Sequence, residues 1–160
     1  MIFITLGSQK FQFDRLLKQI DDLIECGVIE EEVFAQIGYS DYKPKKFPYK
    51  QFLDREEFIA AEGKAEIVIT HGGTGAIIGA VKKGKKVIAV PRLARFGEHV
   101  DDHQLQIVEE FEEMNILEAC YEIEQLGEIY KNIDKKVFQP FKSNQMNLVN
   151  SIDDYIKTLQ

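Results

Sequence analysis

Two short stretches concentrate the residues able to do chemistry. In VITHGGTGAIIGA, from Val68 to Ala80, a histidine, His71, and the glycines Gly72, Gly73 and Gly75 directly follow an apolar run, with Thr74 among them. Glycines between a strand and a helix leave main-chain N–H groups bare, and the positive helix end adds to them, so this stretch suits a close-lying anion such as a diphosphate. The alternative is that the glycines only permit a tight turn and close helix packing. His71 stands where a ring nitrogen can donate to a phosphate or a sugar hydroxyl, or can instead bond neighbouring backbone and shape the turn. The second stretch, GEHVDDHQ from Gly97 to Gln104, holds Glu98, His99, Asp101, Asp102, His103 and Gln104. Carboxylates and an amide grip vicinal hydroxyls well, because each oxygen accepts and the amide nitrogen donates. Asp101 also reads as a simple N-cap. His99 and His103, four apart, could share a helix face with Asp102 as metal ligands, but the order H-E-x-x-H is missing and no metal is expected.

Two common phosphate motifs are excluded. A P-loop needs Lys then Ser/Thr at the helix start, whereas Thr74, Gly75 and Ala76 stand here. The dinucleotide spacing G-x-G-x-x-G is only nearly met by Gly73, Gly75 and Gly79, and the strand after it ends at Val90-Pro91 without an acid for a ribose.

The elements around these stretches alternate. Ile2 to Leu6 reads as a strand opening into Gly7-Ser8, followed by a helix with Leu16, Leu17, Ile20, Leu23 and Ile24 on one face and Gly27 as its stop. Val33 to Gly38 reads as a second strand, and the Pro- and Lys-rich YSDYKPKKFPYK as a loop or short irregular strand. A helix capped by Asp54 and stopped near Gly63, with Phe58 and Ile59 inward, precedes the buried strand AEIVIT. A helix to Gly84, a strand from Lys85 to Pro91, and a helix with Leu105, Val108 and Phe111 inward come next. A strand near ILEAC, a helix around Ile123 to Tyr130 and an amphipathic C-terminal helix over residues 143–160 complete the chain. The expectation is a Rossmann-like open parallel α/β sheet with helices on both faces, in one domain over residues 1–160. Such sheets bind ligands at the carboxyl ends of their strands, where strand order reverses, and Gly7-Ser8, the glycine loop and the acid-rich loop all fall there.

With 160 residues, 44% of them hydrophobic, the chain suits one core. A net charge of −7 argues against nucleic acid as the main partner. Cys26 and Cys120 are too few for a disulfide framework and read as core or semi-buried thiols of a cytoplasmic protein. No apolar stretch is of membrane-spanning length and the first residues lack the pattern of a signal peptide.

IFITLGSQKFQFDRLL, IVITHGGTGAI and VIAVPRLARFGEHVDDHQ together resemble the nucleotide-sugar-binding, C-terminal half of GT-B glycosyltransferases. They are most similar to the family-28 C-terminal domain group, which includes small catalytic subunits of two-chain enzymes. In eukaryotes such a pair adds the second GlcNAc to dolichol-diphosphate-GlcNAc; in bacteria similar pairs add galactose to lipid-linked glucose in capsule and exopolysaccharide assembly, and FGEHVDDHQ looks most like that branch. The resemblance implies that Gly7 and Ser8 line the cleft floor and that His71, Gly72, Gly73, Thr74 and Gly75 hold the diphosphate of a UDP-sugar. It further implies that Glu98, His99, Asp102, His103 and Gln104 face the sugar or its nucleotide. Related enzymes often place a ribose-binding acid where this chain has Gly79.

The activity so implied is an inverting transfer of a hexose, galactose first, from a UDP-sugar to a polyprenyl-diphosphate-linked sugar, with no cofactor required. His99 is the first candidate for general base and Glu98 the second, unless the base lies on another chain. A membrane-anchored, acceptor-binding partner subunit would recruit the chain to the inner face of the plasma membrane as a heterodimer. The alternatives are a UDP-GlcNAc transferase acting on a lipid-linked sugar, a non-catalytic nucleotide-sugar-binding scaffold, and an unrelated doubly wound nucleotide-using transferase.

Overall fold

Along the first strand, β1 (Ile2–Thr5), Ile2 and Ile4 point to one side and Phe3 to the other, and all three are fully buried. A strand apolar on both faces needs cover on both faces, which is the signature of a parallel sheet inside an α/β layer structure. In the computed structural model, which describes residues 1–142, that sheet has six parallel strands. They are β1, β2 (Val33–Gln36), β3 (Tyr49–Lys50), β4 (Ile67–His71), β5 (Lys86–Val90) and β6 (Glu118–Ala119). The C-terminal helix expected over residues 143–160 lies outside the described residues.

The spatial order is β3-β2-β1-β4-β5-β6. The chain lays down β1 to β3 outward on one side, then returns to the far side of β1 for β4 to β6. The reversal falls between β1 and β4, whose residues pair Ile2 with Ile67 through to Thr5 with Thr70. Loops leaving the carboxyl ends of these two strands therefore diverge and leave a crevice there.

The helices α1 (Asp14–Glu25), α2 (Arg55–Lys64), α3 (Thr74–Lys82), α4 (His103–Glu113) and α5 (Leu126–Asn132) divide between the faces. Leu16, Leu17, Ile20 and Leu23 of α1 and Leu126 of α5 pack with Ile2 and Ile4 on one face. Ala61 of α2, Ile77 and Val81 of α3, and Val108 and Phe111 of α4 pack with Phe3 on the other. No helix among the described residues is long and apolar enough to cross a membrane.

Several local expectations need correction. Phe58 packs edge-on against Phe3 at 5.3 Å, but Ile59 is 49% exposed, because only one side of α2 meets the sheet. Gly63 lies inside α2, which runs on to Lys64. The helix expected from Ile123 begins as a 3-10 turn, Ile123–Gln125, before α5. Cys26 is exposed beyond the end of α1, whereas Cys120 is buried and its thiol is pushed up to about 12 by desolvation, which keeps it protonated and unreactive.

The Pro- and Lys-rich segment owes its order to two acids of α1. Asp14 Oδ1 accepts the amides of Asp41 and Tyr42, and the buried Asp21 accepts the amides of Lys45 and Lys46 and the Tyr42 hydroxyl. The helix start at Asp54 is a reciprocal capping box: Asp54 Oδ1 accepts the Glu57 amide at 2.8 Å and Glu57 Oε2 accepts the Asp54 amide at 3.0 Å. Replacement of an N-cap acid by alanine costs about 1 kcal/mol. Asp54→Ala is therefore expected to lower unfolding free energy by about that amount in urea titration.

Candidate functional site

β4 ends in His71 and α3 begins at Thr74, so Gly72 and Gly73 turn the chain from sheet to helix in two residues. What holds the turn is Gln104, the second residue of α4 and almost wholly buried. Its Oε1 accepts the Gly72 amide at 3.0 Å and the Arg92 amide at 3.1 Å, tying the loop after β4 to the loop after β5. Two donors on the oxygen fix the amide's orientation, and Nε2 then faces His71 Nδ1 at 3.4 Å. The Nδ1 lone pair receives that N–H, which leaves the imidazole proton on Nε2.

His71 is wedged rather than displayed. A Cβ on Gly73 would lie 2.2 Å from His71 Cε1, and a Cβ on Gly7 would lie 2.7 Å from Nε2. Gly7 also has φ of 74°, a torsion that L side chains rarely adopt. The ring thus fills the space between the ends of β1 and β4, with its Nε2 next to Gly7 and Gly73. Burial, reinforced by the Arg92 charge, lowers its pKa from 6.5 to about 3. At neutral pH His71 is an uncharged donor.

The glycines divide by role. The Gly72 amide is spent on Gln104, and a Cβ there would meet Gln104 Cβ at 2.7 Å, so Gly72 serves packing and not an open anion cradle. Gly73 has φ of −82° and ψ of 126°, ordinary extended backbone, so what excludes a side chain there is the His71 ring and not the torsions. At Gly75 a Cβ would meet nothing within 4 Å. The first main-chain bond of α3 is Ile77 N–H to the Gly73 carbonyl, so the amides of Thr74, Gly75 and Ala76 point out of the helix start. Gly7 is half-buried and Ser8 is exposed at the same edge.

The acid-rich loop sorts itself differently from its reading as a cluster of ligand groups. Glu98 is fully buried: Oε2 accepts Arg15 Nε at 2.9 Å, and Oε1 accepts Arg15 Nη2 at 3.0 Å and the Leu93 amide at 3.1 Å. That engagement removes Glu98 from the candidates for general base and makes it the anchor of the loop after β5. Gln104 likewise faces the loops rather than the crevice. Asp102 Oδ1 accepts the Ala94 amide at 2.8 Å. Asp101 receives both histidines, with His99 Nδ1 at 3.1 Å from Oδ1 and His103 Nδ1 at 3.2 Å from Oδ2. A metal triad of His99, Asp102 and His103 does not form, because Asp102 turns away; among the described residues no group of three or more His, Cys, Asp or Glu side chains is gathered to hold a metal ion.

Arg15, Gln12, Phe11 and Arg92 complete the edge, and none of them stood out in the sequence. Gln12 Nε2 donates to the Phe96 and Gly97 carbonyls at 3.0 and 3.3 Å, joining the loop after β1 to the loop after β5. The Phe11 ring lies 4.9 Å from that of His99. The one signal available was a basic residue directly after the proline that closes β5. A cleft of about 200 Å³ lined by Pro91, Leu93, Arg95, Asp102, Leu105 and Tyr121 adjoins the acid-rich loop. A larger one, about 710 Å³, lies beside α5 and β6, away from every group discussed above.

Two outcomes are expected. Above pH 6.5, the value His71 has in the unfolded chain, both states are neutral there and stability is unaffected. As pH falls from 6.5 towards about 3, only the unfolded chain gains the proton, so stability drops by up to about 1.4 kcal/mol per pH unit. Urea titrations at about pH 7 and about pH 5 will show a smaller loss for His71→Gln than for the parent chain, the difference between the two isolating His71. Gln104→Leu leaves the Gly72 and Arg92 amides buried without an acceptor and will cost about 2 kcal/mol or more, whereas Gln104→Glu, which keeps the acceptor, will cost less by the same measurement.

The family model of the glycosyltransferase family 28 C-terminal domain matches residues 1–159. No functionally curated protein is a significant sequence match. Among solved structures, MurG of Acinetobacter baumannii superposes with a TM-score of 0.58 at 16% identity, over 82% of this chain and 40% of that one. CalG4, the calicheamicin glycosyltransferase, gives 0.58 at 17% identity, over 97% of this chain and 38% of that one. The solution structure of ALG13 gives 0.58 at 17% identity, over 92% of this chain and 94% of that one. At these identities the superpositions show the fold, and the chain spans about two fifths of the length of MurG and CalG4. A Rossmann-like parallel sheet whose three carboxyl-edge loops are laced together at its switch point, matched along nearly its whole length, places this chain in the glycosyltransferase family 28 C-terminal domain family.

Proposed function

We propose that the chain is the donor-binding half of an inverting glycosyltransferase that moves a hexose, galactose first, from a UDP-sugar to a polyprenyl-diphosphate-linked sugar in exopolysaccharide or capsule assembly. The observation that carries this reading is the open start of α3 at the switch point, where the amides of Thr74, Gly75 and Ala76 precede the first main-chain bond of the helix and His71 Nε2 lies next to Gly7 and Gly73. These are neutral donors with a helix dipole behind them, suited to the negative charge that grows on a departing diphosphate. The family match and the FGEHVDDHQ loop support the choice of a nucleotide-sugar.

In the step so proposed, the acceptor hydroxyl attacks the anomeric carbon from the face opposite UDP. The new C–O bond forms as the bond to the diphosphate breaks, and configuration inverts. A base must take the hydroxyl proton. His99 suits that role in the tautomer whose Nδ1–H donates to Asp101 Oδ1 at 3.1 Å, which leaves the Nε2 lone pair for the hydroxyl proton; the Asp101 amide, 3.4 Å from the same Nδ1, favours the other tautomer. Gly7 and Ser8 would line the floor and Asp102 and His103 would border the sugar. The acceptor reaches this edge through a membrane-anchored partner subunit at the cytoplasmic face, since one such domain supplies only one wall of the reaction cleft. A catalytically silent nucleotide-sugar-binding scaffold is the second reading, favoured by the loss of Glu98 from the pool of bases and by Gly79 at a helix position where an acid would grip ribose.

Incubation of the chain with UDP-galactose, lipid-linked glucose and membranes carrying the partner is expected to yield a disaccharide lipid, and none without membranes. UDP binding with no transfer under either condition would leave the scaffold reading. Gly75→Val, whose side chain meets no protein atom at its first carbon, is expected to keep the parent's melting temperature while losing about tenfold or more in UDP affinity by calorimetry.

A further inference from the structure

Arg92 follows Pro91 at the end of β5 and is 1% exposed, which makes it the bulkiest fully buried side chain of the described residues. Arginine is almost never so placed without partners. Here Nη2 donates to the Phe11 carbonyl at 3.3 Å and the guanidinium lies 5.2 Å from the centre of the Phe13 ring. Nε and Nη1 are buried and have no hydrogen-bond partner, and no other side-chain atom of the described residues shares that condition. Glu98 acts on Arg92 only through space, since both its oxygens are engaged by Arg15 and by the Leu93 amide.

Charge counting sharpens the anomaly. Two guanidinium groups, Arg15 and Arg92, face one buried carboxylate, and His71 beside them is neutral. Burial brings Arg92 down only to about 10, so it stays cationic at neutral pH. A buried donor left without a partner costs about 1–3 kcal/mol. A methionine of similar length would avoid that cost, so the fold retains a charge that it does not itself use.

The position of the charge points to its use. The Arg92 main chain is tied through Gln104 to Gly72, and its side chain reaches under the strip that leaves Gly7 and Ser8. The guanidinium itself touches the loop after β1 at Phe11 and Phe13, and its charge acts through space on His71, whose ring lies next to Gly7 and Gly73. We propose that Arg92 is an anion-binding residue of this site, whose unpaired guanidinium nitrogens hold oxygens of the donor's diphosphate. The diphosphate enters by displacing the Phe11 carbonyl from Nη2. The strip over the guanidinium is fastened to the loop after β5 by the two bonds from Gln12 Nε2. This assignment rests on the donor reading of the glycine loop and adds to it the fixed positive charge that the neutral His71 does not supply.

The test compares the parent chain with Arg92→Met and Arg92→Lys in titrations with UDP, inorganic pyrophosphate and uridine, followed by calorimetry and by the NMR signal of the arginine Nε–H. In the parent, UDP and pyrophosphate will move the Arg92 Nε–H resonance and uridine will not. Arg92→Met is expected to lose about tenfold or more in affinity for UDP, to keep its affinity for uridine, and to melt at the parent's temperature or above it. Arg92→Lys, which keeps the charge without the fork, will fall between. Equal UDP affinity in parent and Arg92→Met overturns the assignment and leaves the donor reading intact. Equal losses for UDP and uridine with a lower melting temperature also overturn it, because they mark a packing role. A parent chain that binds neither UDP nor pyrophosphate sinks both.

Discussion

The side-chain amide of Gln104 is the interaction on which the site depends. One oxygen accepts from the loop after β4 and from the loop after β5, and the nitrogen on the other end meets the last side chain of β4. Gln104 stands near the start of α4, so the packing of Val108 and Phe111 against the sheet transmits directly to the glycine loop. A carboxylate could take both amides but not donate to His71, and a shorter amide would fall short of one loop. The crevice is thus shaped from α4, an element that does not line it, and its geometry is set by hydrogen bonds made inside the protein before any ligand arrives.

This arrangement also separates charge from contact. The ring at the crevice floor is kept neutral by burial and by a neighbouring cation, so it donates without carrying charge. The positive field comes from Arg92 below and the helix start alongside. The one buried carboxylate of the loop is neutralised by Arg15, whose guanidinium also lies 4.6 Å from the Phe96 ring centre. Had Glu98 been left unpaired, its charge would oppose any phosphate nearby. The Arg15–Glu98 pair therefore fixes a loop and, at the anion site proposed above, would also silence an acid.

The strands and their order of appearance were legible because a buried parallel sheet writes itself as short apolar runs, and IFIT, IVIT and KVIAV are of that kind. Asp54 as a helix cap was legible because capping is local, whereas the reciprocal bond from Glu57 came only with the structure. What distance along the chain conceals was not. GEHVDDHQ reads as six ligand groups in a row, yet Glu98 finds a partner 83 positions away in Arg15 and Gln104 finds one 32 positions away in Gly72. Consecutive residues on an irregular loop point in different directions, so density in sequence is a poor guide to convergence in space. The glycines misled in a subtler way: Gly72 and Gly73 are bare because Gln104 and His71 occupy the space a side chain would need, and of the three loop glycines only Gly75 is bare towards open space. Arg92 gave only a weak signal, its place directly after Pro91, because a single arginine in a loop resembles a solvated one until its burial is known.

The carboxyl edge has one wall. The transfer proposed above would require that the acceptor be held against the donor while water is kept out, or the activated sugar would be lost to hydrolysis. In this chain the loops after β2, β3 and β5 leave Tyr39, Phe52, Phe96 and Val100 exposed around that edge, with Tyr39 and Phe52 paired edge to face at 5.2 Å. Apolar side chains spaced around a polar crevice give a rim that a second surface can close against, and the same residues gain nothing by facing water. MurG and CalG4 are more than twice the length of this chain, whereas ALG13 is nearly coextensive with it. The buried guanidinium of Arg92, with two nitrogens lacking a hydrogen-bond partner, and the exposed Phe96 and Val100 both belong to the segment that follows β5, so one stretch of chain carries both the buried charge and part of the apolar rim.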